Sequence, residues 1–234
     1  MDKNLEFDTY LFISSNKIII SINNKKSFET IYKKEKLFSN TNNNLPFEKF
    51  DEFLNDNIFL IEKDLKNFIK KIYVIFESDS FFVAGSSIKH NFKKSNFNQD
   101  KIKETLIEIR NQFIKNSPGY ETIHMIINRF VINGDAYKIL PKDIKNENMV
   151  IQVDFICLED QITDNFEKIF SKYQISINKI LSYEYLKNLD KNKNENITKV
   201  ANDSLNGLNL NEVYLAKKIL KNQGFFEKFF NFFK

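Results

Sequence analysis

Between residues 80 and 181 the apolar period switches repeatedly between two and about three and a half, and the order of those switches limits the fold more than any other feature. Residues 81–88 read as a short strand containing Gly85. Asp100 is placed to cap a helix whose Ile102, Leu106, Ile109 and Phe113 form one apolar stripe, stopped by Ser117, Pro118 and Gly119. Residues 122–132 form a strand that ends at the turn signal Asn133, Gly134, Asp135. In residues 149–158, Met149, Ile151, Val153, Phe155 and Cys157 alternate with Gln152 and Asp154. Thr163 is expected to cap a further helix bearing Phe166, Ile169, Phe170 and Tyr173, and residues 175–181 read as a last strand. Strand, helix, strand, strand, helix, strand is the order of a compact α+β unit with helices on one face of a small sheet.

The segment before it reads differently. Residues 11–22 give strand, polar turn, strand, and residues 28–32 a weaker third, together an antiparallel meander. Residues 64–71 carry Leu65, Phe68 and Ile69 at helical spacing, followed by a buried strand over 72–76. Residues 190–211 are rich in Asn, Lys, Asp and Ser and read as a flexible linker.

Composition narrows the chemistry. The 234 residues are enough for one or two domains, and 42% hydrophobic with 28% charged residues suits a folded chain. One cysteine, Cys157, excludes an internal disulfide framework and a Cys-rich zinc site. Five glycines argue against glycine-rich phosphate loops. Asp2, Glu6 and Asp8 interrupt the first ten residues, so no secretory leader is expected. No run approaches the ~20 apolar residues of a membrane span. The net charge of +4 is carried by the C-terminal tail from Lys217 onward. With two arginines, Arg110 and Arg129, and no net charge before the tail, nucleic acid is not expected as a partner.

The tail is the sharpest physical signal. On a helix of about 100° per residue, Glu227, Lys228, Asn231 and Lys234 fall within about 120°. Phe225, Phe226, Phe229, Phe230, Phe232 and Phe233 fall on the opposite arc. A helix of this kind over 212–234 is expected to lie in a membrane interface, phenylalanines inward and Lys228 and Lys234 toward anionic headgroups. The competing reading docks its phenylalanine face on the domain's own core. Two or three turns bind lipid reversibly, so stable attachment would need several tails together.

Three stretches resemble FtsA, the actin-like bacterial division protein that tethers the FtsZ ring. Residues 124–134, HMIINRFVING, are similar to the family's strand with an "IDG"-type turn. Residues 150–155 are similar to its next strand, and residues 173–181 to the segment after the inserted subdomain's helix. The first strand departs from the family's L-D-I-G-T-S-K: Phe12 stands in place of the Asp and Ser14 in place of the Gly. The metal-positioning carboxylate and the glycine that admits phosphate are both replaced. The second half that completes such a nucleotide site is not expected between Leu189 and the tail.

The expected fold is therefore α+β: a partial actin-like (ribonuclease H-like) sheet over 1–79, an inserted α+β subdomain over 80–189, a linker over 190–211 and an amphipathic helix over 212–234. The resemblance implies a non-enzymatic scaffold without cofactor or small-molecule substrate, peripheral on the cytoplasmic face of the inner membrane. Its partners would be anionic lipid through the tail, and division proteins or a second copy through 80–189. Two alternatives stand beside it: a soluble protein-binding module, PilM-like or other, with a docked C-terminal helix, and half of an ATPase completed by a partner chain. His90 and His124 are isolated in sequence, and core packing is expected for both and for Cys157.

Overall fold

The computed structural model describes residues 6–38, 47–91, 99–141, 148–190 and 196–214. Strands β1 (Phe7–Ile13), β2 (Lys17–Asn24) and β3 (Thr30–Leu37) form the expected antiparallel meander. The third strand starts later than residues 28–32 suggest, because Phe28 takes a left-handed backbone (φ 58°) inside the preceding turn. Two more strands join on the other side of β1: β4 (Lys71–Phe76) runs parallel to β1, and β9 (Ser176–Ser182) parallel to β4. The resulting order, β3-β2-β1-β4-β9, is a ribonuclease H-like sheet: a three-stranded meander extended by parallel strands from β1.

Helix α1 (Phe47–Leu65) connects β3 to β4. The helix expected over 64–71 is corrected by it. Lys66 adopts φ 52°, the left-handed conformation that ends helices, so Phe68 lies beyond the helix and is exposed. The helical signal belongs upstream, where Phe50, Phe53, Leu54, Ile58 and Ile61 are buried on one face. They pack with Phe166 and Phe170 of α3 (Asp160–Ser171) against the sheet; Phe166 meets Phe50 and Phe76 edge-on at 5.8 and 5.3 Å. Each fully buried phenylalanine contributes roughly 1.5–3 kcal/mol, so this cluster anchors the domain. Helix α3 begins at Asp160, not at Thr163. Thr163 sits buried in the first turn, its hydroxyl donating to the Asp160 carbonyl at 3.0 Å.

The second sheet has the order β5-β8-β6-β7 and is antiparallel throughout: β5 (Phe82–Asn91), β8 (Asn148–Glu159), β6 (Tyr120–Ile132), β7 (Asp135–Tyr137). Helix α2 (Gln99–Asn116) lays Ile102, Leu106, Ile109 and Phe113 over the Met149, Ile151, Val153, Phe155 and Cys157 stripe of β8; the Phe113 and Phe155 rings stack at 4.1 Å. The alternation in β8 and the stripe in α2 are thus two sides of one core.

Two expectations are corrected here. Residues 175–181, read as the last strand of the 80–189 unit, return to the first sheet as β9, and α3 packs there too. Residues 190–211, read as a flexible linker, hold helix α5 (Ile197–Leu205), capped by the Asn196 side chain, which accepts from the Thr198 amide. Val200 and Ala201 of α5, with Tyr185 and Leu186 of α4 (Tyr183–Leu189), bury Tyr10, Phe12, Ile75 and Leu181 on the face of the first sheet opposite α1. The polar residues that suggested a linker are the solvent side of a short amphipathic helix. No helix of the described residues is long and apolar enough to cross a membrane.

Candidate functional site

Two places carry the functional question: the turn after β1, and the junction between the two sheets.

Alternation along β1 sends Leu11 and Ile13 toward α1, and Tyr10 and Phe12 toward α4 and α5. Phe12 is buried, meets Tyr183 edge-on at 5.3 Å, and has the Lys17 ammonium 5.2 Å from its ring centre. Where the resemblance would place a carboxylate, an aromatic ring fills an apolar layer. The following turn is closed on itself. The Ser14 amide donates to the Lys17 carbonyl at 2.9 Å and the buried Ser14 hydroxyl donates to Asn16 Oδ1 at 2.9 Å. Beside it, burial and the neighbouring Glu184 raise the Glu77 carboxyl above its ordinary range.

At the junction, a β-bulge decides which side chain points where. Thr122 pairs with Cys157 and His124 with Ile156, leaving Ile123 as the extra residue. Without that insertion His124 would share the α2 face; with it, His124 turns toward β9 and α4. There the Ser182 amide donates to Nε2 at 3.0 Å. Nδ1 therefore carries the proton and donates to Glu212 Oε1 at 2.8 Å. Burial lowers the His124 pKa, and the imidazole is neutral.

Glu212 is the hub. Lys179 Nζ donates to Oε1 at 3.0 Å, and the Tyr185 hydroxyl and Ser204 hydroxyl donate to Oε2 at 2.7 and 3.3 Å. Asn209 donates in turn to the Tyr185 oxygen at 3.0 Å. Burial pushes the Glu212 carboxyl up, but the donors from His124, Lys179 and Tyr185 together outweigh it and hold the carboxyl at about 2. The same burial and the ionised Glu212 raise the Tyr185 hydroxyl. Main-chain bonds complete the attachment: the Val213 amide donates to the Met125 carbonyl and the Ile127 amide to the Asn211 carbonyl, both at 2.8 Å. Residues 211–213 thereby run as a short antiparallel strap along β6.

The strap, β9, α3, α2 and the start of β6 enclose a cleft of about 440 Å³. Asp160, Asp164 and Glu167, at i, i+4 and i+7, line it from one face of α3; Arg110 and Lys179 lie among the opposing residues. Tyr214, with Lys179 Nζ 4.8 Å from its ring centre, is the last described residue of the wall.

At this junction the buried carboxylate and imidazole tie the strap to β6. Both His124 nitrogens are engaged. Cys157 faces α2, on the other side of the sheet, and burial pushes its thiol up to about 11. Among the described residues no group of three or more His, Cys, Asp or Glu is placed to hold a metal ion. Phe225, Phe226, Lys228, Phe229, Phe230, Phe232, Phe233 and Lys234 lie outside the described residues. The hub was invisible in sequence because its members are 8 to 88 positions apart. The one local hint is Glu212 itself, a single acid between Leu210 and Val213.

No family profile and no curated protein matches the chain. Solved structures do. The cytoplasmic domain of EpsL, an inner-membrane component of the type II secretion system of Vibrio cholerae, matches at 9% identity and TM-score 0.37, covering 76% of this chain and 57% of that one. A PilM–PilN type IV pilus biogenesis complex matches at 8% and 0.43, covering 78% and 49%. A Bacteroides thetaiotaomicron protein with an actin-like ATPase fold matches at 10% and 0.32, covering 75% and 53%. The chain spans about half the length of these proteins. At such scores the likeness decides nothing, and the fold class rests on the strand order: an α+β protein with a ribonuclease H-like sheet carrying a second, four-stranded sheet.

Proposed function

We propose that this chain is a non-catalytic adaptor that works through protein contacts of the 80–189 segment, held at a lipid surface by the basic phenylalanine tail that follows the 211–213 strap. The observation that carries the reading is Phe12. An actin-like nucleotide site needs an open, polar first turn, and here the ring is buried under α4 and α5 beside a turn whose hydrogen bonds are satisfied internally. A ribonuclease H-like sheet without that opening keeps its value as a scaffold for surfaces. The second sheet suits the purpose. Val83, Gly85, Ser87, Lys89, Asn128 and Arg129 are exposed on its strands, while α2 covers the other face.

The reading takes a protein-binding module over a division-specific scaffold. The closed turn and the two-sheet junction are features of the fold, whereas a place in division rests on the FtsA resemblance alone. A position on the cytoplasmic face of the inner membrane belongs to the same proposal and rests on the tail.

Calorimetry of the full chain with ATP and magnesium tests the first half: no heat of binding is expected, and clear magnesium-dependent binding sinks the non-catalytic reading in favour of an ATPase half completed by a partner. Co-sedimentation with anionic vesicles tests the second. The full chain should pellet, and a Phe229→Glu, Phe230→Glu variant should stay in the supernatant.

A further inference from the structure

The cleft at the sheet junction has a wall whose chemistry matches a segment of this same chain. We propose that residues 215–221 dock in it, covering the acidic face of α3.

Three observations converge. First, the origin of the segment is fixed. Main-chain pairing of 211–213 with β6 and the four donors on Glu212 hold the strap, and the described chain ends at Tyr214, on the cleft wall. Seven residues reach ~10 Å as a helix or about 23 Å extended, enough to cross a cleft of this size in either form. Second, the charges complement each other. Asp160, Asp164 and Glu167 are exposed on one side of α3, and the segment carries Lys217, Lys218 and Lys221 and no acid. Third, the apolar surfaces correspond. Ile114, Tyr120 and Tyr214 line the cleft while 43%, 41% and 67% exposed, and the segment offers Leu215, Ile219 and Leu220. The cleft volume, about 440 Å³, lies within the roughly 300–1,000 Å³ of sites that take a compact ligand.

The inference stands apart from the adaptor reading: it concerns a contact within the chain and holds whether or not the protein binds lipid or a partner. Its consequence is regulatory. A basic, apolar segment of another protein would have to displace 215–221.

Hydrogen–deuterium exchange on the full chain tests it. Amides of 215–221 should exchange at least about tenfold more slowly than in a free peptide of the same sequence. Asp164→Lys with Glu167→Lys should remove that protection, as should Lys217→Glu with Lys218→Glu and Lys221→Glu. Combining both sets restores the charge match and should restore protection, which separates docking from a folding defect. Peptide-like exchange in the unaltered chain overturns the proposal. So does protection that survives the α3 reversal, protection not restored by the combination, or protection lost on dilution, which would assign the occupant to a second copy.

Discussion

Glu212 Oε1 lies 2.8 Å from His124 Nδ1 across 88 residues of chain, and this contact joins the C-terminal strap to the inner edge of the four-stranded sheet. Both side chains are buried, at 7% and 0% side-chain exposure, so neither can turn to water if the other is lost. Replacing Glu212 with Ala leaves the Lys179 ammonium, the Tyr185 hydroxyl and the His124 N–H without their acceptor. Loss of one partner from a buried charged network costs ~3–5 kcal/mol. Urea denaturation should show that loss in Glu212→Ala; Glu212→Gln, which keeps an acceptor oxygen, should cost less.

The same pair makes stability depend on pH in two stages. His124 has its pKa lowered on folding, so below the ordinary histidine value of 6.5 the unfolded chain binds a proton that the folded chain refuses. Stability therefore falls as pH drops through 6.5. Glu212 has its carboxyl depressed from 4.5 to about 2, so its contribution is complete above 4.5 and lost as pH falls toward 2. Melting temperatures between pH 8 and pH 3 should be level at the top, then fall in two steps. In His124→Gln the upper step should vanish and the lower one remain.

Phe12→Asp would restore the residue type that the FtsA resemblance expects at that position without restoring a site. The carboxylate would enter an apolar layer built by Tyr183, Tyr185, Leu186, Val200 and Ala201, with Lys17 near its rim. Losing the ring and burying an unpaired polar group should together cost ~3–5 kcal/mol. Chemical denaturation should report that loss, and calorimetry should report no gain of ATP binding.

Much of this architecture is legible in residue periodicity, and what escapes it does so for definable reasons. The β8 alternation and the α2 stripe are read directly because each segment buries one continuous face. Helix α5 escapes because it is only nine residues long, with Val200 and Ala201 as its fully buried apolar positions, inside a stretch rich in Asn, Lys, Asp and Ser. The destination of β9 escapes because its parallel pairing with β4 is a long-range choice that no local pattern records. The Glu212 hub escapes for the same reason, since no local pattern records which donors a lone acid will meet. Phe12 is the opposite case: its departure from the family pattern is visible in sequence, and the layer that covers it explains what the aromatic ring does there.

Cys157 provides a check on the second core that depends on none of the charged groups. Its thiol is fully buried in the β8 stripe beneath α2, and burial raises it to about 11. Alkylation requires thiolate and access, and the folded state supplies neither. With iodoacetamide at pH 8, the native chain should remain unmodified over a period in which the chain in urea is fully labelled. Because modification then requires opening of the α2 layer, its rate should rise when that layer is weakened. Phe113→Ala removes the ring that stacks on Phe155, a change of about 3–5 kcal/mol for a well-buried aromatic and less here because Phe113 is only partly buried. Labelling of Cys157 should accelerate at least about tenfold in that variant, each 1.4 kcal/mol being a factor of ten in the open population. Equal rates in the two proteins would mean that Cys157 is reached through a gap the packing does not contain, and the assignment of α2 as the cover of this sheet would have to be abandoned.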